Sequence, residues 1–184
     1  MYTVTPTIHH DRERAMVKLP KKLGENERVY LSTGFRAAID RSLRGFYYST
    51  WAHEGQMGRY ALTQFEPTSA RRAYPGWDEP AYKANFTFRM LHRVNTTALA
   101  NMPSAYERSV DKEQVHQLLQ TRSSGLSLHQ YNLDEWLLTE FETTPKMATY
   151  LVAWANGAFL HVSNTTISPL TGRVIPLRMY TTPD

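Results

Sequence analysis

Cysteine is absent from this 184-residue chain, which removes disulfides, thiol nucleophiles and every zinc pattern built on thiolates. Long apolar runs are missing too. No stretch approaches the ~18 uninterrupted apolar residues of a membrane span, and the opening MYTVTPTIHHDRER has no apolar core of a secretion signal. The expectation is a soluble, cytoplasmic protein with no membrane partner. Phosphate-cradling glycine loops of the GxGxxG or GxxxxGKS/T type do not occur, nor does a GxSxG nucleophile turn. His53-Glu54 opens HEGQM, but Met57 stands where a zinc site needs its second His, and Gly55 and Gly58 oppose a helix. His9 and His10 are neighbours that would point apart, and His92, His116, His129 and His161 are single. No metal, cofactor or catalytic set is expected in this chain.

Charge of one sign is not concentrated either. Lys and Arg number 21 against 17 acids, and the basic residues are interleaved with acidic ones along the chain. That pattern suits a solvated surface better than the basic face of a phosphate-backbone binder, so nucleic acid is not an expected partner. Three Asn-x-Ser/Thr sequons, at Asn85, Asn95 and Asn164, match what chance produces in Asn-bearing β loops. Aromatic residues, in contrast, are plentiful: 11 Tyr, 7 Phe and 4 Trp. They favour strands, where planar groups pack well on a pleated surface.

Alternation predicts strands in RVYLSTGFRAAI (28–39, on Val29, Leu31 and Thr33), RYALTQFE (59–66), YKANFTFRMLHRV (82–94) and RVIPLRMY (173–180). Pro176 marks the last as an edge strand. GFYYSTW (45–51) is an aromatic run, AHEGQMG a turn, and TTALANMP (96–103) a short strand with a Pro stop. ATYLVAWANGAFLHVS (148–163) carries a hairpin signal at Asn156-Gly157. DKEQVHQLLQTRS (111–123) predicts a helix through Val115, Leu118 and Leu119, NLDEWLLTEF (132–141) fits helix or strand, and SSGLS (123–127) reads as a loop. The fold expected is mainly β, an antiparallel β-sandwich or saddle-like stack of sheets in one domain over 1–184, with a helical or loop insert at 104–140.

The densest chemistry is TQFEPTSARRAYPGWDEP, residues 63–80. On a strand, Gln64 and Glu66 project to one face, two residues apart. A carboxylate and an amide so placed could anchor a cationic group such as an ammonium; equally, Glu66 could pair with Arg71 or Arg72 across the next turn. Asp78 and Glu79 would face opposite ways on a strand and cannot share a proton. Before Pro80, an Asp more often bonds to local backbone, so Trp77-Asp78-Glu79-Pro80 reads as a structural corner.

This run resembles the N-terminal domain signature of the gluzincin zinc aminopeptidases, the aminopeptidase N and puromycin-sensitive type. Thr63, Gln64, Glu66, Ala70, Arg71, Pro75, Trp77, Asp78, Glu79, Pro80, Lys83 and Phe86 carry the match. GFYYS (45–49), LANMP (99–103) and FETTPKMATYLVAW (141–154) are similar to further family blocks in the same order, within residues 28–180. There are departures. Gly76 stands where the family usually has Cys and Tyr74 where it has Phe. The interval from Met102 to Phe141 is longer than usual, and the family's leading strands, HExxH and G-x-M-E-N motifs have no counterpart. The resemblance implies a domain truncated at both ends. It also implies that Glu66 helps hold a substrate's free α-amine, that Gln64 lines the first side-chain pocket, and that Arg71 with Trp77 to Pro80 forms the corner. Zinc is expected only in a full-length family member, and the chain alone is expected to be inactive. Its partners would be a peptide N-terminus or the catalytic domain. The alternative is a stand-alone, non-catalytic binding protein on the same scaffold, facing a protein partner, a glycan or a cell surface. Missing leading strands would leave a sheet edge open, to be met by self-association or by pairing with residues 1–27.

Overall fold

A computed structural model describes residues 2–120 and 135–183. It is mainly β. The chain begins with β1 (Thr7–His9) and β2 (Arg14–Met16), followed much later by β3 (Gly45–His53) and β4 (Gln56–Gln64). Then come β5 (Arg89–Arg93), β6 (Thr97–Ala100), β7 (Ser104–Val110), α1 (Lys112–Gln120) and β8 (Trp136–Phe141). The series closes with β9 (Trp154–Gly157), β10 (Leu160–Ile167) and β11 (Val174–Thr181). Pairing within these strands is antiparallel throughout, giving a four-stranded sheet β3-β4-β9-β6, a three-stranded sheet β5-β8-β7, and the two-stranded ribbons β1-β2 and β10-β11.

Local chemistry accounts for the central hairpin. Glu54 (φ 46°) and Gly55 (φ 78°) both sit in left-handed backbone, the turn whose twist matches two antiparallel strands. The register pairs Phe46 with Thr63 and Tyr47 with Leu62, so odd positions of β4 share one face and even positions the other. The odd face continues to Phe65, 2% exposed, which packs with Ala70, Ala73 and Val152. Trp154 of β9 joins them: its ring lies 5.2 Å from Phe65, 5.5 Å from Phe46 and 5.9 Å from Tyr74. Phe88, just before β5, stacks on Trp154 at 4.8 Å and reaches Phe141 of β8 at 5.9 Å. This aromatic layer joins the four-stranded sheet to the three-stranded one. A second, smaller cluster of Val110, Val115 and Leu138, with Leu91 and Trp136, holds α1 on the three-stranded sheet.

Four expectations need correction. Residues 28–39 form no strand; Val29, Tyr30, Leu31 and Phe35 are exposed, because no neighbouring strand accepts their backbone. The chain first reaches the sheet at Asp40, whose carbonyl accepts from Tyr48 N–H at 2.9 Å, and at Arg41, whose Nη2 donates to Thr50 Oγ1 at 3.4 Å. Asn156-Gly157 is no turn. Both residues lie inside β9, and β10 pairs with β11 instead of returning along it. Strand β5 occupies only the end of the predicted 82–94 run; upstream, Ala84 bridges Met147 and Phe86 exchanges bonds with Thr144. Residues 1–27 do not fill the edge of a larger sheet, since β1 and β2 pair only with each other.

The region 104–140 opens with one sheet strand and ends within another, with the helix following the first. Residues 132–134, the loop at 123–127 and the helix end at 121–123 lie outside the described residues. The open helix-or-strand choice over 132–141 resolves to strand from Trp136 onward.

Candidate functional site

Gln64 is the last residue of β4 and pairs with Gly45, the first of β3. Gly45 has φ +69°, and a Cβ there would lie 2.8 Å from Arg72 Cβ and 3.3 Å from Ser69 O. Glycine therefore lets the turn after β4 close against β3. Ser69 N–H donates to Phe65 O at 2.7 Å, and a short 3-10 turn, Ala70–Arg72, follows. The Glu66-Pro67 peptide within this turn is cis. Gln64 and Glu66 are both exposed and flank the buried Phe65. Gln64 shares the even face of β4, and Glu66 lies just past the strand end.

Arg71 does not pair with Glu66. Its Nε donates to Asp78 Oδ2 at 2.8 Å, and its backbone N–H donates to the same oxygen at 3.2 Å. Its Nη1 reaches Glu13 Oε2, beside β2, at 3.4 Å. The hydrogen bond that Arg71 donates to Asp78 is the main cause that pushes the guanidinium further above its ordinary value; the attraction of Asp78 and Glu13 adds to it, against desolvation. Asp78 is nearly fully buried, and its Oδ1 has no protein partner. Trp77 contributes its backbone: the Thr149 hydroxyl donates to Trp77 O at 2.6 Å while the indole stays 66% exposed. Glu79 accepts from Tyr82 N–H at 3.0 Å through its carbonyl, and Pro80 is exposed. These bonds tie residues 71–82 into a corner beneath the Gln64–Glu66 strand end.

Tyr74 and Gly76 sit inside that corner. The Tyr74 hydroxyl is buried without a partner, and burial, helped by the charge of Asp78, pushes its pKa up to about 12. A Cβ at position 76 would come within 3.2 Å of Tyr74 Cε2, a close approach that the bare glycine accommodates.

One buried polar chain escaped sequence reasoning. His92 of β5, 3% exposed, lies 2.8 Å from the Thr139 hydroxyl through Nε2, and that hydroxyl donates to Glu107 of β7 at 2.5 Å. Its Nδ1 lies 3.1 Å from both Thr96 Oγ1 and Arg93 O. This chain crosses all three strands of its sheet. Only the register reveals it, because the three side chains are far apart in sequence.

The exposed site can offer an anion and an amide to a cationic, hydrogen-bonding ligand. Among the described residues no three His, Asp or Glu groups converge, and His53 and Glu54 are 3.9 Å apart at a hairpin tip. Among the described residues, no helix is long and apolar enough to cross a membrane.

Residues 3–124 match the family described as peptidase M1 N-terminal domain. The thyrotropin-releasing hormone-degrading ectoenzyme of Rattus norvegicus is 32% identical over 169 residues, covering 92% of this chain and 13% of that protein. Glutamyl aminopeptidase of Sus scrofa is 34% identical over 175 residues, covering 92% of this chain and 16% of that protein. Aminopeptidase M1 of Arabidopsis thaliana is 34% identical over 144 residues, 78% of this chain and 14% of the relative. The chain thus spans about one-seventh of the length of these curated relatives.

Proposed function

Because the chain belongs to the peptidase M1 N-terminal domain family, we propose that it is the substrate-anchoring β domain of a zinc aminopeptidase. Glu66 receives the free α-amine of a peptide, and Gln64 borders the first side chain. The observation that carries this reading is the exposure of both residues on either side of buried Phe65, at a strand end braced by Arg71 and Asp78. Buried Phe65 fixes the backbone between them, so the two polar groups need little ordering on binding.

Zinc and the hydrolytic water belong to the catalytic part of such an enzyme, which is the domain's partner. Amine anchoring alone supplies neither a Lewis acid nor an activated water, so the chain by itself is inactive. Its setting is cytoplasmic. Self-association is proposed at the open edge of β3, whose outer side carries, among the described residues, only the Asp40–Tyr47 bridge.

Calorimetry or NMR titration of the chain with a dipeptide amide, beside its N-acetylated form, tests the anchor. Binding of the free amine, lost on acetylation and weakened about tenfold in Glu66→Gln, is the expected result. Equal binding of both ligands would remove Glu66 from the role. Metal-dependent release of an N-terminal amino acid by the pure chain would overturn the inactivity.

A further inference from the structure

At the far end of the four-stranded sheet, an open cavity of about 510 Å³ is lined by Trp51, His53 and Gln56 of the β3-β4 hairpin. Asn95 and Thr97 of the β5-β6 turn and Phe159 of the β9-β10 connection face the same space. Gln56 and Gln64 lie on the same face of β4 but eight residues apart, roughly 27 Å of strand. The cavity is therefore separate from the Gln64–Glu66 site and independent of the role proposed for it.

Its construction is specific. A Cβ at Gly58 would fall 2.3 Å from Trp51 Cε2 and 2.5 Å from Nε1, so the indole lies flat on bare backbone. The indole N–H is buried and has no hydrogen-bond partner. Tyr60, the neighbour of Phe159 at 5.9 Å, backs the other aromatic wall. Gln56, Asn95 and Thr97 make no side-chain hydrogen bond within the described protein, and His53 makes only the long contact to Glu54 at 3.9 Å. Among the described residues, no Asp, Glu, Lys or Arg lines the cavity.

Aromatic walls with unspent amide and hydroxyl groups, and no fixed charge among the described lining residues, select a neutral ligand rich in hydroxyls with an apolar ring face. A charged ligand would lose hydration without compensation. We infer that this cavity is a carbohydrate subsite, sized for one or two pyranose rings, in which Trp51 and Phe159 meet the ring face and Gln56, Asn95 and Thr97 meet the hydroxyls. Its volume falls in the range of ligand-binding pockets.

The test uses chain made in bacteria, so that the Asn95-Thr96-Thr97 sequon stays bare. Methyl pyranosides of glucose, mannose, galactose and N-acetylglucosamine are titrated while backbone amide shifts are followed by NMR. Saturable, millimolar shifts confined to residues 51–58 and 94–97 are expected for at least one sugar. Asn95→Ala and Gln56→Ala together should weaken that binding about tenfold or more with an unchanged circular dichroism spectrum. Trp51→Phe, which keeps a ring, should weaken it less. No saturable response to any sugar, or a response indifferent to the double variant, overturns the proposal. So does a proline-containing peptide that shifts the same residues when no sugar does.

Discussion

Asp78 is an acidic residue put to structural use. Its carboxylate sits beside a glutamate in an exposed-looking run, yet it is buried and holds both the backbone and the guanidinium of Arg71. Arg71→Ala leaves that carboxylate buried with one weak backbone bond. A loss of about 2 kcal/mol is expected in urea unfolding, below the usual value for a fully buried pair because the Arg71 side chain is 32% exposed. Trp77→Ala, by contrast, should change stability by less than ~0.5 kcal/mol, since its carbonyl makes the structural bond. Tyr74 gives a pH signature. Its pKa rises from 10.0 to about 12 on folding, so the unfolded chain ionises first and stability falls as pH climbs between those values. Tyr74→Phe should abolish that part of the alkaline decline while leaving neutral stability equal or higher, because it removes a buried hydroxyl with no partner. Melting curves at rising pH check both statements.

Strands with a clear local pattern were legible whether their partners lie near or far in sequence; strand ends and pairings set by distant partners were not. The β3-β4 hairpin, β6 and β11 follow directly from aromatic and alternating patterns bounded by turn residues. Helix α1 also carries its own start signal, as Gln114 N–H donates to Asp111 Oδ1 at 2.8 Å while Asp111 N–H returns to Gln114 Oε1 at 3.4 Å. The Asn-Gly pair misled for a physical reason. Asn156 spends its amide on Thr96 Oγ1 and Thr97 O, and Gly157 is bare because a Cβ would meet Tyr60 Cβ at 2.5 Å. Glycine here serves close strand approach, which sequence alone cannot separate from a turn. Gly157→Ala should therefore destabilise by about 2 kcal/mol through overpacking, where a true turn glycine with positive φ would respond through backbone strain. The comparison of Gly157→Ala with Gly55→Ala in denaturant measures the difference. At the candidate site, alternation places Gln64 on the even face of β4, but the strand ends before Glu66, and the partner of Arg71 required the fold of the corner.

Across the whole molecule, apolar surface is unevenly spent. Register in the β10-β11 ribbon puts Leu160, Val162, Ile175, Leu177 and Met179 on one face, all of them exposed. The opposite face is mixed, carrying His161, Ser163, Thr165 and Arg178 together with Ile167, Val174, Pro176 and Tyr180. Two-stranded ribbons are marginal in water without a packed face, so the isolated chain is expected to associate as its concentration rises. Sedimentation velocity should show a concentration-dependent mass, reduced when Val162→Thr and Met179→Lys are combined. Unchanged association in that variant would move attention to the β3 edge.

Trp154 has an optical consequence. One indole in contact with Phe46, Phe65, Tyr74 and Phe88 couples its electronic transitions to rings from both larger sheets. Its near-ultraviolet dichroism is thus a built-in gauge of sheet docking. During unfolding, that signal will vanish when the sheets part, even if each still keeps its strands.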